Sequence, residues 1–106
     1  MLIERTDVPD PKVLLQLAER IKGSLGDAAV VLGSAIDGRV ALVASFTDAA
    51  VERGLSAADV VREAAEVVGG GGGGRPNVAQ AGGRDTGRLD EALDVAREAI
   101  ERRLGS

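Results

Sequence analysis

Residues 69–84 contain the side chains and the backbone best suited to binding an anion. Six consecutive glycines at 69–74 are followed by Arg75, and a second pair of glycines is followed by Arg84. Gln80 lies between the two arginines, which are the only charged residues of the stretch. Glycines expose backbone N–H groups, and arginine forms charge-assisted hydrogen bonds with phosphate and carboxylate oxygens. This composition predicts a surface that offers backbone and guanidinium donors to a large, negatively charged molecule.

The other reactive side chains do not form a recognisable catalytic or metal-binding set. The chain contains no His and no Cys, which removes the commonest general base, the commonest zinc ligand and any disulfide. The only lysines, Lys12 and Lys22, fall on the polar part of an amphipathic helix. The Asp and Glu residues fall on helix faces and in turns, where a solvated role is expected. We therefore expect no catalysis, no metal and no cofactor in this chain.

The glycine run satisfies the pattern G-x-G-x-x-G, as any six glycines must, but its context does not fit a dinucleotide-binding fold. That fold requires a strand before the run and a helix after it, so that the pyrophosphate meets a helix N-terminus. Here a predicted helix precedes the run and Pro76 follows it, and no G-K-[ST] sequence is present for a P-loop. A flexible loop without a ligand is the alternative that these residues leave open.

The N-terminal part of the chain predicts a short strand followed by a helix. Residues 1–6 favour the strand. Asp10 is a good N-cap with Pro11 at the first helical position, and Gly23 and Gly26 are expected to end the helix. One apolar face recurs at helical spacing and comprises Leu14, Leu17, Ala18, Ile21 and Leu25.

The clearest strand pair in the sequence joins residues 28–36 to residues 39–46. Asp37-Gly38 stands between them and is typical of a type I′ hairpin turn, which needs φ > 0 at both positions. Both runs are apolar at nearly every residue, which favours strands covered on both faces by helices.

The second half of the chain predicts a helix, the glycine run, a short strand at residues 76–81 and a closing helix. Ser56 is expected to cap the first of these helices and Asp85 the last. The two apolar faces comprise Ala57, Val60, Val61, Ala64, Ala65 and Val68, and then Leu89, Ala92, Leu93, Ala96 and Ile100. The expected fold is a single α/β domain, in which a mixed sheet of about four strands with a central hairpin packs against three main helices.

Charge and hydropathy limit the partners of such a domain. A net charge of −4 argues against a broadly basic nucleic-acid binder, because phosphate neutralisation supplies most of the affinity there. A local positive patch around Arg75 and Arg84 would give modest, salt-sensitive binding. No apolar run approaches the ~20 residues of a membrane span, so no membrane partner is expected.

Residues 69–85 resemble the signature of the C-terminal domain of alanyl-tRNA synthetases. The family pattern is a glycine-rich run, Arg-Pro, two residues, Ala-Gln and a second glycine cluster. The corresponding residues here are Arg75-Pro76, Ala79-Gln80 and Gly82-Gly83. The hairpin, the helix before the glycines and the closing helix are also similar, so the resemblance covers essentially the whole chain. The sequence departs from the pattern at Ala81, where the family usually has glycine.

The resemblance implies a tRNA-binding domain of a cytoplasmic enzyme that ligates alanine to tRNA. In that family the domain contacts the elbow of tRNA(Ala), helps the aminoacylation and editing modules to act on one tRNA, and supports dimerisation in some lineages. ATP, magnesium and zinc would then serve other domains of the parent enzyme. The expected contact residues are Gly70, Gly71, Gly72, Gly73, Gly74, Arg75, Gln80, Gly82, Gly83, Arg84 and Arg88.

Two alternatives come from other functional classes. The alanine-rich helix faces and the negative net charge would also suit a module for oligomerisation or for docking other domains. A related domain follows the catalytic part of DHH-type phosphoesterases, where it helps to hold the substrate. Arg-Pro followed by Ala-Gln fits the synthetase pattern better.

Overall fold

The sheet is built on the predicted hairpin and extends from it on both sides. The computed structural model describes residues 1–24 and 28–104. The strands within these ranges lie in the order β1-β2-β3-β5-β4, with β1 parallel to β2 and the other neighbours antiparallel. They are β1 (Leu2–Arg5), β2 (Ala29–Ile36), β3 (Arg39–Phe46), β4 (Gly71–Gly74) and β5 (Val78–Gly83).

The helices are α1 (Pro11–Ser24), α2 (Asp48–Glu52), α3 (Ala57–Val67) and α4 (Leu89–Leu104), with a 3₁₀ turn (Thr86–Arg88) before α4. Three of the expected caps are present. Asp10 Oδ1 accepts a hydrogen bond from Val13 N at 3.0 Å, Ser56 Oγ accepts from Asp59 N at 3.4 Å, and Asp85 Oδ1 accepts from Gly87 N at 3.1 Å. Asp85 therefore caps the 3₁₀ turn, and α4 continues from it. Leu25 and Gly26, which were assigned to the first helix and to its end, lie outside the described residues.

Helices cover both faces of the sheet, as the apolar strands predicted. Alternate residues of β2 and β3 point to opposite sides. Val30, Leu32 and Val43 pack with Leu14 and Ala18 of α1. The opposite face, α3 and α4 form the larger buried cluster, which includes Val31, Leu42, Phe46, Val61, Leu89 and Ile100. The predicted single α/β domain with three main helices is confirmed.

The glycine run differs from the sequence-based expectation because it forms a strand instead of a loop. Gly71–Gly74 pairs antiparallel with β5, from Gly71 opposite Gly82 to Gly74 opposite Ala79. The sheet therefore has five strands, where about four were expected. The second strand of this hairpin lies at Val78–Gly83 instead of at residues 76–81, because residues 75–77 form the turn.

Among the described residues, no helix is both long enough and apolar enough to cross a membrane.

Two Gly→Ala substitutions should change stability in opposite directions. Gly38 has φ +77° in the hairpin turn, so Gly38→Ala should lower the free energy of unfolding by about 1–2 kcal/mol. Gly23 lies within α1 with no atom within 4 Å of an added Cβ, so Gly23→Ala should raise it by about 0.5–1 kcal/mol. Urea denaturation measures both values, and a change of the same sign in both variants would contradict the assigned backbone conformations.

Candidate functional site

Helix α3 holds both ends of the hairpin formed by β4 and β5, which we call the glycine hairpin. At the N-terminus of α3, Ala57 N donates to Pro76 O at 2.7 Å. At the other end, Arg84 N and Asp85 N donate to Val68 O at 2.8 and 3.0 Å. These bonds satisfy backbone groups that a helix end leaves without an intrahelical partner. They also fix where the turn and the end of β5 lie.

The close approach of the glycine run to β5 explains why alternate positions of the run must be glycine. A Cβ at Gly70 would lie 1.8 Å from Gly82 O, and one at Gly72 would lie 2.4 Å from Ala81 Cα. At Gly74 the corresponding distance is 2.7 Å, to Val78 O. All three are shorter than any real Cβ contact, so β4 lies too close to β5 for side chains at these positions. On β5, a Cβ at Gly83 would lie 2.4 Å from Cγ2 of Val68, the residue that caps the C-terminus of α3.

The remaining glycines of β4 are not required by packing. A Cβ at Gly71 would have nothing within 4 Å, and one at Gly73 would make only an ordinary contact at 3.7 Å with Arg62 Nη2 of α3. Neither residue has a φ in the left-handed region. The fold therefore needs glycine at 70, 72 and 74, whereas at 71 glycine leaves the backbone exposed and at 73 it leaves the backbone half-buried beside Arg62.

Arg75 and Gln80 lie at the turn end of the glycine hairpin. They line a concavity of about 370 Å³ together with Gly73, Gly74 and Asn77, and both side chains are exposed. Two backbone bonds hold the turn in place. Arg75 N donates to Val78 O at 2.8 Å, and Phe46 N at the end of β3 donates to Asn77 O at 2.7 Å. The Arg75 guanidinium thus extends from an anchored turn beside open glycine backbone.

Arg84 lies at the opposite end of the glycine hairpin. It lines a second concavity, of about 290 Å³, with backbone from both strands and with Arg39 of β3. The glycines that line it are Gly69, Gly70, Gly71, Gly82 and Gly83. The predicted contact residues therefore divide between two ends of one hairpin instead of converging on one point.

Ion pairing distinguishes Arg75 and Arg84 from most other cations of the domain. Within residues 1–24 and 28–104, neither Arg75 nor Arg84 has a carboxylate within 4 Å, and neither does Arg39. Ion pairs hold several other cations of this part of the chain, namely Arg5, Lys22, Arg62, Arg88, Arg102 and Arg103. Although the net charge is −4, the glycine hairpin therefore presents uncompensated positive charge at both ends.

Arg88 and Ala81 are placed differently from the other candidates. Arg88 is paired with Glu91 in the 3₁₀ turn and lines neither of these concavities. Ala81, where the sequence departs from the glycine of the family pattern, is half-buried and packs against the larger core cluster. Arg39 is the residue that sequence reasoning missed. Its signal is its position directly after the Asp37-Gly38 turn, which becomes informative only once β3 is known to pair with β5.

Comparisons with known proteins agree with the sequence resemblance. A family model described as the DHHA1 domain matches residues 1–102. The alanine–tRNA ligase of Trichodesmium erythraeum is 50% identical over 91 residues, which are 86% of this chain and 10% of that protein. The alanine–tRNA ligase of Nitrosococcus oceani is 45% identical over 106 residues, or 100% of this chain and 12% of that protein. The chain thus spans about a tenth of the length of these relatives.

Solved structures share the fold. The C-Ala domain from Aquifex aeolicus alanyl-tRNA synthetase superposes with a TM-score of 0.84 at 26% identity, and the match covers 93% of this chain and 89% of that one. A DHH-domain member of the s1p family of ribosomal proteins matches with a TM-score of 0.61 at 18% identity, over 87% of this chain and 21% of the other. This second likeness concerns the fold alone.

Adjacent glycines of β4 should respond differently to the same added methyl group. Gly72→Ala forces atoms of β4 and β5 apart and should lower the free energy of unfolding by about 1–3 kcal/mol. Gly71→Ala adds the methyl in open space and should leave stability within about 0.5 kcal/mol of the parent chain. Urea denaturation of the two variants tests the contrast, and equal losses would contradict the close approach of the two strands.

Proposed function

The chain belongs to the DHHA1 domain family, and we propose that it binds tRNA as the C-terminal domain of an alanine–tRNA ligase. Its similarity to alanine–tRNA ligases, and to a C-Ala domain over 93% of its length, supports this assignment. The single observation that carries it is the pair of arginines, Arg75 and Arg84, that form no ion pair within residues 1–24 and 28–104 and lie at the two ends of a hairpin with exposed glycine backbone.

Phosphate recognition follows from the chemistry of these groups. Each guanidinium offers several donors in a fixed plane and keeps its charge at physiological pH. Glycine at 71 and 73 lets a sugar–phosphate backbone approach the protein main chain without a side chain between them. Gln80 adds an amide that is able both to donate and to accept hydrogen bonds. Contacts of this kind position a nucleic acid without reading its bases.

In this proposal the chain has no catalytic step of its own. It holds the elbow of tRNA(Ala), so that the aminoacylation and editing modules of the cytoplasmic parent enzyme act on the same tRNA. ATP, magnesium and zinc would be used by those modules. Within the described residues, no group of three or more His, Cys, Asp or Glu side chains is placed to hold a metal ion.

A second candidate function is dimerisation or docking of another domain. The observation that favours it is the position of β4 at the edge of the sheet, since no described strand pairs with its outer side. Free strand edges are templates for pairing with another chain. Sedimentation of the chain alone separates the two functions, because a stable dimer without affinity for tRNA would support docking instead.

Removing both arginines should weaken tRNA binding and flatten its salt dependence. Each phosphate contact contributes about one to the slope of log K against log salt. The Arg75→Ala and Arg84→Ala double variant should therefore lose about two, measured by titration with tRNA(Ala) between 50 and 200 mM salt.

Arg97→Ala is the matched control. Arg97 is an exposed arginine of α4, and α4 packs against α3 and against β1 and β2, away from the glycine hairpin. This variant removes one positive charge where the double variant removes two, and it should keep the slope of the parent chain. If the double variant also keeps that slope, the assignment of these contacts is wrong.

The shape of the RNA supplies a separate test. Whole tRNA(Ala) should bind more tightly than a minihelix that carries the acceptor stem but lacks the elbow, because the proposed contact lies at the elbow. Parallel titrations at one salt concentration measure the ratio. Equal affinities would argue against elbow recognition and would leave only a general attraction to RNA.

A further inference from the structure

Arg39 and Arg84 line one concavity at the edge where β3 begins and β5 ends. The last paired residues of these strands are Val40 and Gly83, so the next positions along the same register are 39 and 84. Both side chains are exposed, and both line the concavity of about 290 Å³ formed with the glycines of β4 and β5. Two guanidinium groups thus flank one stretch of open backbone.

No ion pair of the described part of the chain involves Arg39 or Arg84. Like charges at opposed positions of neighbouring strands destabilise a sheet, and no carboxylate of residues 1–24 or 28–104 lies within 4 Å of either guanidinium. A bound anion between the two arginines would remove the repulsion and would use the donors of both.

Three concavities that share lining residues, which we together call the groove, extend from this end of the hairpin to the end that carries Arg75. Gln80 is opposite Val43, and Gly82 is opposite Ala41, on the sheet face that α1 covers over β2 and β3. A third concavity, of about 290 Å³, lies on this side and is lined by both Arg39 and Gln80. It shares Arg39 with the Arg84 concavity and Gln80 with the Arg75 concavity.

The middle of this groove differs from its ends in charge and polarity. It is lined largely by apolar and small residues of the hairpin strands and of the start of α1, including Pro11, Ile36, Ala41 and Ala81, and Asp37 also lines it. A phosphate is disfavoured beside Asp37, whereas a sugar or base face suits the apolar surface. The groove thus has cationic ends and a middle that is not cationic.

We propose that Arg39 and Arg84 form a second phosphate contact, and that the bound molecule is a nucleic-acid strand that follows the groove from this contact to Arg75. The proposal rests on the tRNA-binding function proposed above and extends it to a residue outside the glycine motif. The four residues of β4 separate the two ends by roughly 13 Å, at about 3.3 Å per residue. A single phosphate does not span that distance, but a backbone of several nucleotides does.

Titration of the 106-residue chain with tRNA(Ala) transcript between 50 and 200 mM KCl tests the proposal. Arg39→Ala should lower the salt slope, but by less than the roughly 0.7–0.9 of one whole phosphate contact, because Arg84 still contacts the shared phosphate. Its effect on binding should add to that of Arg75→Ala, because those residues lie at opposite ends of the groove. With Arg84→Ala the combined effect should be smaller than the sum, because the two arginines share one phosphate. Arg97→Ala again serves as the control.

Stability gives an independent readout with a distinctive sign. Because Arg39 repels Arg84, Arg39→Ala should leave the urea midpoint unchanged or raise it at low salt, while it weakens binding. A lowered midpoint would show that Arg39 supports the fold, and this would overturn the proposal.

The outcomes distinguish a failure of the second phosphate contact from a failure of the tRNA-binding function. If Arg75→Ala and Arg84→Ala flatten the salt slope and Arg39→Ala does not, the second contact is wrong and the tRNA-binding function stands. If the parent chain does not bind the transcript, or if no variant differs from it, the tRNA-binding function falls and the second contact falls with it.

Discussion

The close approach of α3 to the glycine hairpin is the constraint on which the rest of the surface depends. Six glycines lose more backbone entropy on ordering than any other six residues, so local preference does not produce this strand. Backbone hydrogen bonds between the hairpin and the ends of α3 supply the missing stabilisation. Pro76 O accepts from Ala57 N, Arg84 N and Asp85 N donate to Val68 O, and Gly70 N donates to Ala65 O at 2.9 Å. Small buried residues of α3, such as Ala64 and Ala65, allow the hairpin to lie that close. The helix therefore orders a backbone that has no side chains of its own to order it.

Ion pairing, more than amino-acid composition, determines where this domain carries uncompensated positive charge. The chain is acidic as a whole, yet ion pairs neutralise cations of the helices. Arg102 of α4, for example, bonds to Glu63 of α3 at 2.8 Å, and Arg103 to Asp59 at 3.3 Å. The arginines of the glycine hairpin extend from a turn and from a strand end, and neither forms an ion pair within the described residues. Net charge alone therefore understates how well such a domain is able to attract a polyanion.

Sequence reasoning predicted the parts of the fold that depend on local signals. Asp37-Gly38 fixed the central hairpin because only a few residues tolerate its dihedral angles, and Asp10 and Ser56 marked helix starts. The glycine strand could not be predicted in this way, since glycine is among the poorest strand formers and its order comes from tertiary bonds to α3. Arg39 was missed for a related reason. It reaches the candidate site only through the pairing of β3 with β5, whose pairs run from Ser45 with Val78 to Val40 with Gly83 and join residues far apart in the chain.

The glycines at 70–74 alternate between positions where packing requires glycine and positions where it does not, so the two sets face different evolutionary constraints. Steric contact with β5 forbids any other residue at Gly70, Gly72 and Gly74 for as long as the fold persists. Among the described residues nothing restrains Gly71, so under the proposed function only selection for the bound molecule would keep that position, and Gly73 is restrained hardly more. A descendant that kept the domain but lost its ligand would retain the first set and accumulate side chains at the second. Drift with a period of two along this one strand would thus record the loss of binding in a sequence alignment.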